Sequence, residues 1–348
     1  MKSRTGFCLS LVWCLSAGFA VGNEAVAQDA VANFYHDKKI NLLIGAQAGG
    51  GTDVAGRLMA KHIGRFIPGS PNVVPQNMQG AGSLKLTNYL ANVAPRDGLS
   101  FGVLVRGVIQ QPILGDPAAK FDPLKLGWLG TISSGQEDAY LLVLRKGRGV
   151  TTVEELRKDP QPITLGSSGG NSTNMVFAKL SSELFGFNTR LIQGYQGSNS
   201  VMLALQRGEV DGIYSTLMSL SNDSTFQSGA LLPVVQAGRT TRHASYPDVP
   251  LVRELVSKPD DVSLLSFVES IFLVTLPFAA PPDLPADRLA ALQKAFMDTC
   301  ADERFKADAE RLNMDISPLG GEEMKKIIAE MVKTPANVIE RYKKMIAP

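Results

Sequence analysis

Two glycine-rich turns carry the strongest chemical signals in this chain, and both suit the binding of an anion. The first is Ala48-Gly49-Gly50-Gly51-Thr52-Asp53, and the second is Ser167-Ser168-Gly169-Gly170-Asn171-Ser172-Thr173. Each stands between an apolar run and an amphipathic stretch, where a strand passes into a helix. A helix start offers backbone N–H groups without intrahelical partners and the positive end of the helix dipole. Glycine lets an anionic group come close to those amides. The second turn adds hydroxyl and amide side chains. Two such turns across one cleft could hold two ends of one ligand. The plainer alternative is a pair of ordinary tight turns, with Asp53 and Ser172 acting only as helix caps.

Known phosphate motifs do not fit. No Lys-Ser or Lys-Thr follows the glycines as in a Walker loop, and Gly45 with Gly49-Gly50-Gly51 lacks the GxGxxG spacing of a dinucleotide fold. No cofactor is expected. Arg106 follows the apolar run Leu99–Val105, where a ligand-facing residue would stand. Its guanidinium matches a carboxylate in two-point geometry; the alternative is a solvated arginine at a strand end. Tyr195, in Gly194-Tyr195-Gln196-Gly197, follows another strand and could touch ligand or hinge, or simply pack.

Signals for catalysis are weak. His36, His62 and His243 share no metal-ligand spacing, so no metal site is expected. Cys300 falls four residues after Phe296 on one helix face and reads as buried. No GxSxG elbow is present. The residue pattern points to a binding protein and not to an enzyme.

The elements that must position these turns alternate. Lys39–Gly45 reads as a buried strand, followed by a helix with Val54, Leu58, Ile63 and Phe66 at helical spacing. Asn72–Asn77 and Leu99–Val105 are further strands, with a helix through Leu86, Tyr89, Leu90 and Val93 between them. The second half repeats the theme. Strands are read at Ala139–Leu144, Ile163–Gly166, Thr189–Ile192, Asp211–Tyr214 and Leu231–Ala237, with Thr152 and Glu155 as a helix cap pair. Ser266–Leu276 reads as a long β-like run, and the tail from Glu322 as a helix interrupted near Pro335. Strands alternating with helices imply an α/β fold with largely parallel sheets. In such sheets ligands sit beyond the carboxyl ends of the strands, where both glycine turns fall.

The N-terminus reads as a secretory signal peptide over residues 1–27. Lys2 and Arg4 precede an uncharged stretch, Phe7–Val21, and Ala25-Val26-Ala27 offers a small-x-small cleavage site. The stretch is about 15 residues, short of the roughly 20 that span a bilayer. The expected location is therefore the periplasm. Losing this segment would take the formal charge from +2 to +1. A near-neutral chain gives no argument for nucleic acid as a partner. Cys8 and Cys14 leave with the segment, so Cys300 has no cysteine to pair with. About 320 residues remain, enough for two lobes.

Taken together in order, these stretches resemble a known family. Ile40–Leu58 (INLLIGAQAGGGTDVAGRL), Asn77–Ser83 (NMQGAGS), Ala94–Gly98 (APRDG) and Phe121–Gly130 (FDPLKLGWLG) open the match. Gly166–Asn174 (GSSGGNSTN), Gly194–Gly197, Gly208–Asp211, Pro247–Leu255 and Leu276–Pro282 continue it. The chain resembles the periplasmic receptors of tripartite tricarboxylate transporters, the Bug family. The resemblance implies a two-lobed, Venus-flytrap periplasmic-binding-protein fold of type II, with a mixed sheet flanked by helices in each lobe. Lobe 1 is expected over 31–133 plus 264–348 and lobe 2 over 134–263, joined by two crossovers. It also implies a small mono-, di- or tricarboxylate ligand, aromatic acids included, a two-component inner-membrane permease as partner, and a monomer. The ligand loops it implies are Gly49–Asp53 and Ser167–Thr173. The chain departs from the family pattern at Ala48, where proline is usual, and at Arg106-Gly107-Val108, where Ser and Thr are common. Asn171-Ser172-Thr173-Asn174 is also its own variant. Two rival roles stand beside transport: a co-receptor reporting ligand to a signalling protein, and a transferase on the same fold.

Overall fold

The computed structural model describes residues 29–135, 138–168, 172–195, 197–312 and 314–347. The expected signal segment lies outside the described residues. So do Gly169, Gly170 and Asn171 of the second glycine turn.

Two mixed sheets, each flanked by helices, organise the chain. The first is built from β1 (Lys39–Ile44), β2 (Asn72–Asn77), β3 (Ser100–Val103), β4 (Gly127–Thr131), β10 (Pro277–Ala280) and β11 (Leu319–Gly320). Their order is β11-β4-β10-β3-β1-β2. Strands β1, β2 and β3 run parallel, while β10 lies antiparallel between β3 and β4. The second sheet holds β5 (Tyr140–Arg145), β6 (Ile163–Ser168), β7 (Thr189–Tyr195), β8 (Gly212–Thr216) and β9 (Leu231–Ala237), in the order β7-β6-β8-β5-β9. Here β6 is parallel to β7 and β8, and β5 is antiparallel to β8 and β9. Parallel strands need helical crossovers, and helices on the faces bury both sides of a sheet. The central strands accordingly read as unbroken apolar runs such as Leu141–Leu144, buried throughout.

The helices between strands start where the sequence turns predict. Helix α1 (Gly51–Ile63) follows β1, and α2 (Leu84–Asn92) follows β2. Helix α3 (Val153–Lys158) carries the expected capping box between Thr152 and Glu155. Helix α4 (Thr173–Glu183) follows β6, and α5 (Ser198–Gln206) follows β7.

The long β-like run is a correction. Ser266–Leu276 is not a strand: helix α6 (Pro259–Glu269) and a 3-10 turn (Ser270–Val274) occupy it, and only Pro277–Ala280 is extended. Leu264, Leu265, Phe267 and Val268 are buried with the core of the second sheet. A helix apolar on most of its faces shows no clear period, so it reads like a buried strand. Helices α7 (Ala286–Ala301) and α8 (Glu303–Arg311) then return to the first sheet, with Phe296, Cys300 and Phe305 in its core.

The tail is two helices, α9 (Gly321–Val332) and α10 (Ala336–Ile346), separated near Pro335 as expected. They part company in packing. Met324, Ile328 and Met331 of α9 pack with Trp128 of the first sheet. Val338, Ile339 and Tyr342 of α10 instead join the core that contains Leu142, Phe177 and Phe267. Arg341 ties α10 to Glu183 of α4 at 3.0 Å and to Asp261 of α6 at 2.5 Å. The last helix, which follows the first sheet in sequence, therefore rests on the second.

Candidate functional site

The first glycine turn joins β1 to α1. Ala48, Gly49 and Gly51 are exposed, Gly50 and Thr52 half-buried. Gly49 has φ +84, a conformation that favours glycine. A Cβ added at Gly49 or Gly51 would meet no atom within 4 Å. The space in front of the turn is therefore open to an approaching group. Gly50 is the N-cap of α1, and no side chain caps the helix. The first-turn amides are left for another acceptor.

Asp53 is not that N-cap. It lies inside the first turn of α1, only 3% exposed, and its carboxylate is fully engaged. Gly49 N–H donates to it at 2.9 Å, Arg57 Nε at 2.9 Å and Asn77 Nδ2 at 2.7 Å. The Arg57 hydrogen bond leads in holding its pKa down at about 2. Asp53 faces the turn from behind and fixes its shape. Asn77 also donates to Ala46 O at 3.0 Å, so it ties both ends of the turn to β2. Arg57 and Asn77 stand four and 24 residues from Asp53, and no local pattern marks Asn77 as its partner.

Ser83 performs a similar task on the other side. It is fully buried, with φ 77. Its hydroxyl donates to Gly45 O at 2.8 Å and accepts from Val105 N–H at 2.8 Å. The ends of β1 and β3 and the start of α2 are thus held together by one hydroxyl. A Cβ at Gly45 would sit 2.2 Å from that oxygen, which explains the glycine there.

Arg106 begins a short 3-10 turn after β3, as its sequence position suggested. The side chain crosses to the second sheet. Its Nη2 lies 3.4 Å from Thr173 Oγ1, and its guanidinium carbon lies 4.6 Å from the ring centroid of Phe272. Burial lowers its pKa, while Tyr140 and Asp138 act the other way. No carboxylate of the described residues comes within ion-pair distance of it. By contrast Arg57, Arg145, Arg148, Arg253 and Arg341 each have at least one.

Thr173 opens α4. Ser172 occupies the N-cap position, yet its side chain does not cap the helix. Its Oγ turns back to within 2.5 Å of Ser168 O and 2.6 Å of Asn174 Oδ1. Ser168 Oγ also donates to Asn174 Oδ1 at 3.2 Å. The hydroxyls of this turn thus brace the loop, and α4, like α1, starts without a side-chain cap. Ser167 lies deeper, fully buried, with no partner for its hydroxyl among the described residues. Tyr195 sits at the end of β7 opposite Ser168 and packs against the core around Val201.

A cavity of about 200 Å³ brings Arg106, Ser172 and Thr173 together. A larger groove of about 690 Å³ is lined by Asp138, Glu303, Glu310 and Asp315, with Lys306 and His243. Four carboxylates make that groove a poor place for an acid. His62 is a packed residue bonded to Asp308 at 2.8 Å. Cys300 is 1% exposed and burial pushes its thiol up to about 12, so it is no nucleophile at neutral pH. No group of metal-binding side chains occurs among the described residues.

The model of the tripartite tricarboxylate transporter family receptor matches residues 57–343. The chain belongs to this receptor family. Tripartite tricarboxylate transporter receptors bind solutes, and the chain is a binding protein and not an enzyme. Its fold is theirs. A TctC solute-binding protein from Polaromonas superposes with a TM-score of 0.69 at 20% identity, covering 90% of this chain and 99% of the other. An R. palustris protein with adipate gives 0.59 at 17%, covering 89% and 97%. MatC from Rhodopseudomonas palustris, with bound malate, gives 0.56 at 18%, covering 89% and 99%. At such identities the likeness speaks to the two-lobed fold that these receptors share.

Proposed function

We propose that this receptor captures a small organic acid between its lobes in the periplasm and delivers it to a two-component inner-membrane permease. Arg106 carries this reading: a part-buried cation with no carboxylate partner among the described residues, reaching from the end of β3 to the uncapped start of α4. An acid placed there supplies the missing charge. The amides of Gly50, Gly51 and Thr52 and those at the start of α4 supply further donors. Malate and adipate, held by two proteins of the same fold, are acids of this kind. The lobes are 31–133 with 264–348 and 134–263, with Leu264–Val268 of α6 and the C-terminal helix riding on the second. Closure about the crossovers would shut water out and present one of two states to the permease. The signal segment at 1–27 supports export, and among the described residues no helix is long and apolar enough to cross a membrane.

A thermal-shift panel tests the reading. An acid at 100 times its Kd is expected to stabilise the protein by about 2.7 kcal/mol. Sugars and amines are expected to leave Tm unchanged. A panel of mono-, di- and tricarboxylates with no shift at all would overturn it.

A further inference from the structure

The cavity beside Arg106 has two kinds of lining. Arg106, Gln111, Ser172 and Thr173 are its polar part. Leu114, Val176, Val268, Ile271 and Ile346 form its walls, and Tyr342 borders it. Gln110 also lines it, but its Nε2 donates to Phe267 O at 2.9 Å. Of the described side chains lining the cavity, Arg106 alone is charged. A second carboxylate pushed among these walls would find no cation and would lose its hydration. An alkyl chain or ring there would instead remove apolar surface from water.

We infer that the preferred ligand is an amphipathic monocarboxylate, its head on Arg106 and Thr173 and its apolar tail in the cavity walled by Val176, Val268, Ile271 and Ile346. The inference rests on the receptor reading above and narrows it to one class of acid. The volume of about 200 Å³ equals roughly seven waters at about 30 Å³ each. That is room for the tail of a hexanoate- or benzoate-sized acid whose head stays on Arg106. The walls come from both lobes and from the last helix. Leu114 follows β3, Val176 lies on α4, Val268 on α6, and Ile346 closes α10. A tail seated here touches three elements whose packing ties the two sheets together.

Calorimetric titration of the purified protein with butanoate, pentanoate, hexanoate, benzoate, adipate and citrate tests this. From butanoate to hexanoate each added methylene is expected to tighten binding about fourfold. Adipate, which places a second charge on a hexanoate-length chain, is expected to bind about tenfold more weakly than hexanoate or worse. Ile346→Glu is expected to remove the gain with chain length, and Ile346→Leu to keep it. Should Ile346→Glu not fold, Ile271→Gln carries the same test. Adipate or citrate binding more tightly than hexanoate, with no chain-length dependence, overturns the inference and leaves the receptor reading standing. No heat with any acid overturns both.

Discussion

The carboxylate of Asp53 accepts from Gly49, Arg57 and Asn77 at once, so its lone pairs are committed to the protein. Its place in a glycine turn was plain from the sequence, but its direction was not. The deciding partner, Asn77, comes from the next strand. Asp53→Asn is expected to cost about 1.5–3 kcal/mol, as loss of charged hydrogen bonds does. The effect has a pH signature. The folded pKa is about 2, below the ordinary 3.8, so the stabilisation is complete above about pH 4 and fades as pH falls toward 2. Melting curves of parent and variant should therefore converge in acid; parallel curves down to pH 2 would count against this role. Arg106 predicts the opposite balance. Lacking a carboxylate partner among the described residues, it contributes little to the free fold beyond its contacts with Phe272 and Thr173. Arg106→Met is expected to leave the Tm of the unliganded protein equal or higher and to weaken acid binding about tenfold or more. A Tm several degrees lower with unchanged affinity would make Arg106 a structural residue.

At the scale of elements, one hydroxyl joins β1, β3 and α2. Ser83 can do so only because Gly45 lacks a side chain. Gly45→Ala is expected to destabilise by about 1–3 kcal/mol through overpacking, and to weaken binding because the turn at Gly49 follows directly. Gly45→Ala with Ser83→Gly in the same chain should recover part of the loss, measured by denaturant midpoint. The strands and helices around both turns were legible because their apolar periods differ and their turn residues punctuate them. Ser266–Leu276 was not, since α6 lies between the second sheet's core and α10 and shows apolar residues on more than one side. The 38-residue separation of Gly45 from Ser83 likewise hides their contact from any local pattern.

At the scale of the molecule, the two-lobed plan followed from the order of short motifs over most of the chain, and family membership bears that plan out. What order alone does not show is where each helix rests. Helix α10 leaves the first sheet's neighbourhood and buries Val338, Ile339 and Tyr342 in the second core. Ending the chain before Ala336 is expected to cost roughly 5–9 kcal/mol, from about 1.5–3 kcal/mol for each of these side chains. It should also expose the walls that Val176 and Val268 present, seen as increased binding of an apolar dye. Unchanged stability would show that α10 only decorates the surface. The same helix has a mechanical consequence. Two bodies joined by two neighbouring links can bend and also twist about the line between them. The chain near Pro335 passes from α9, packed on the first sheet, to α10, packed on the second, and so forms a further strap between the two sheets that any relative motion must strain or carry along.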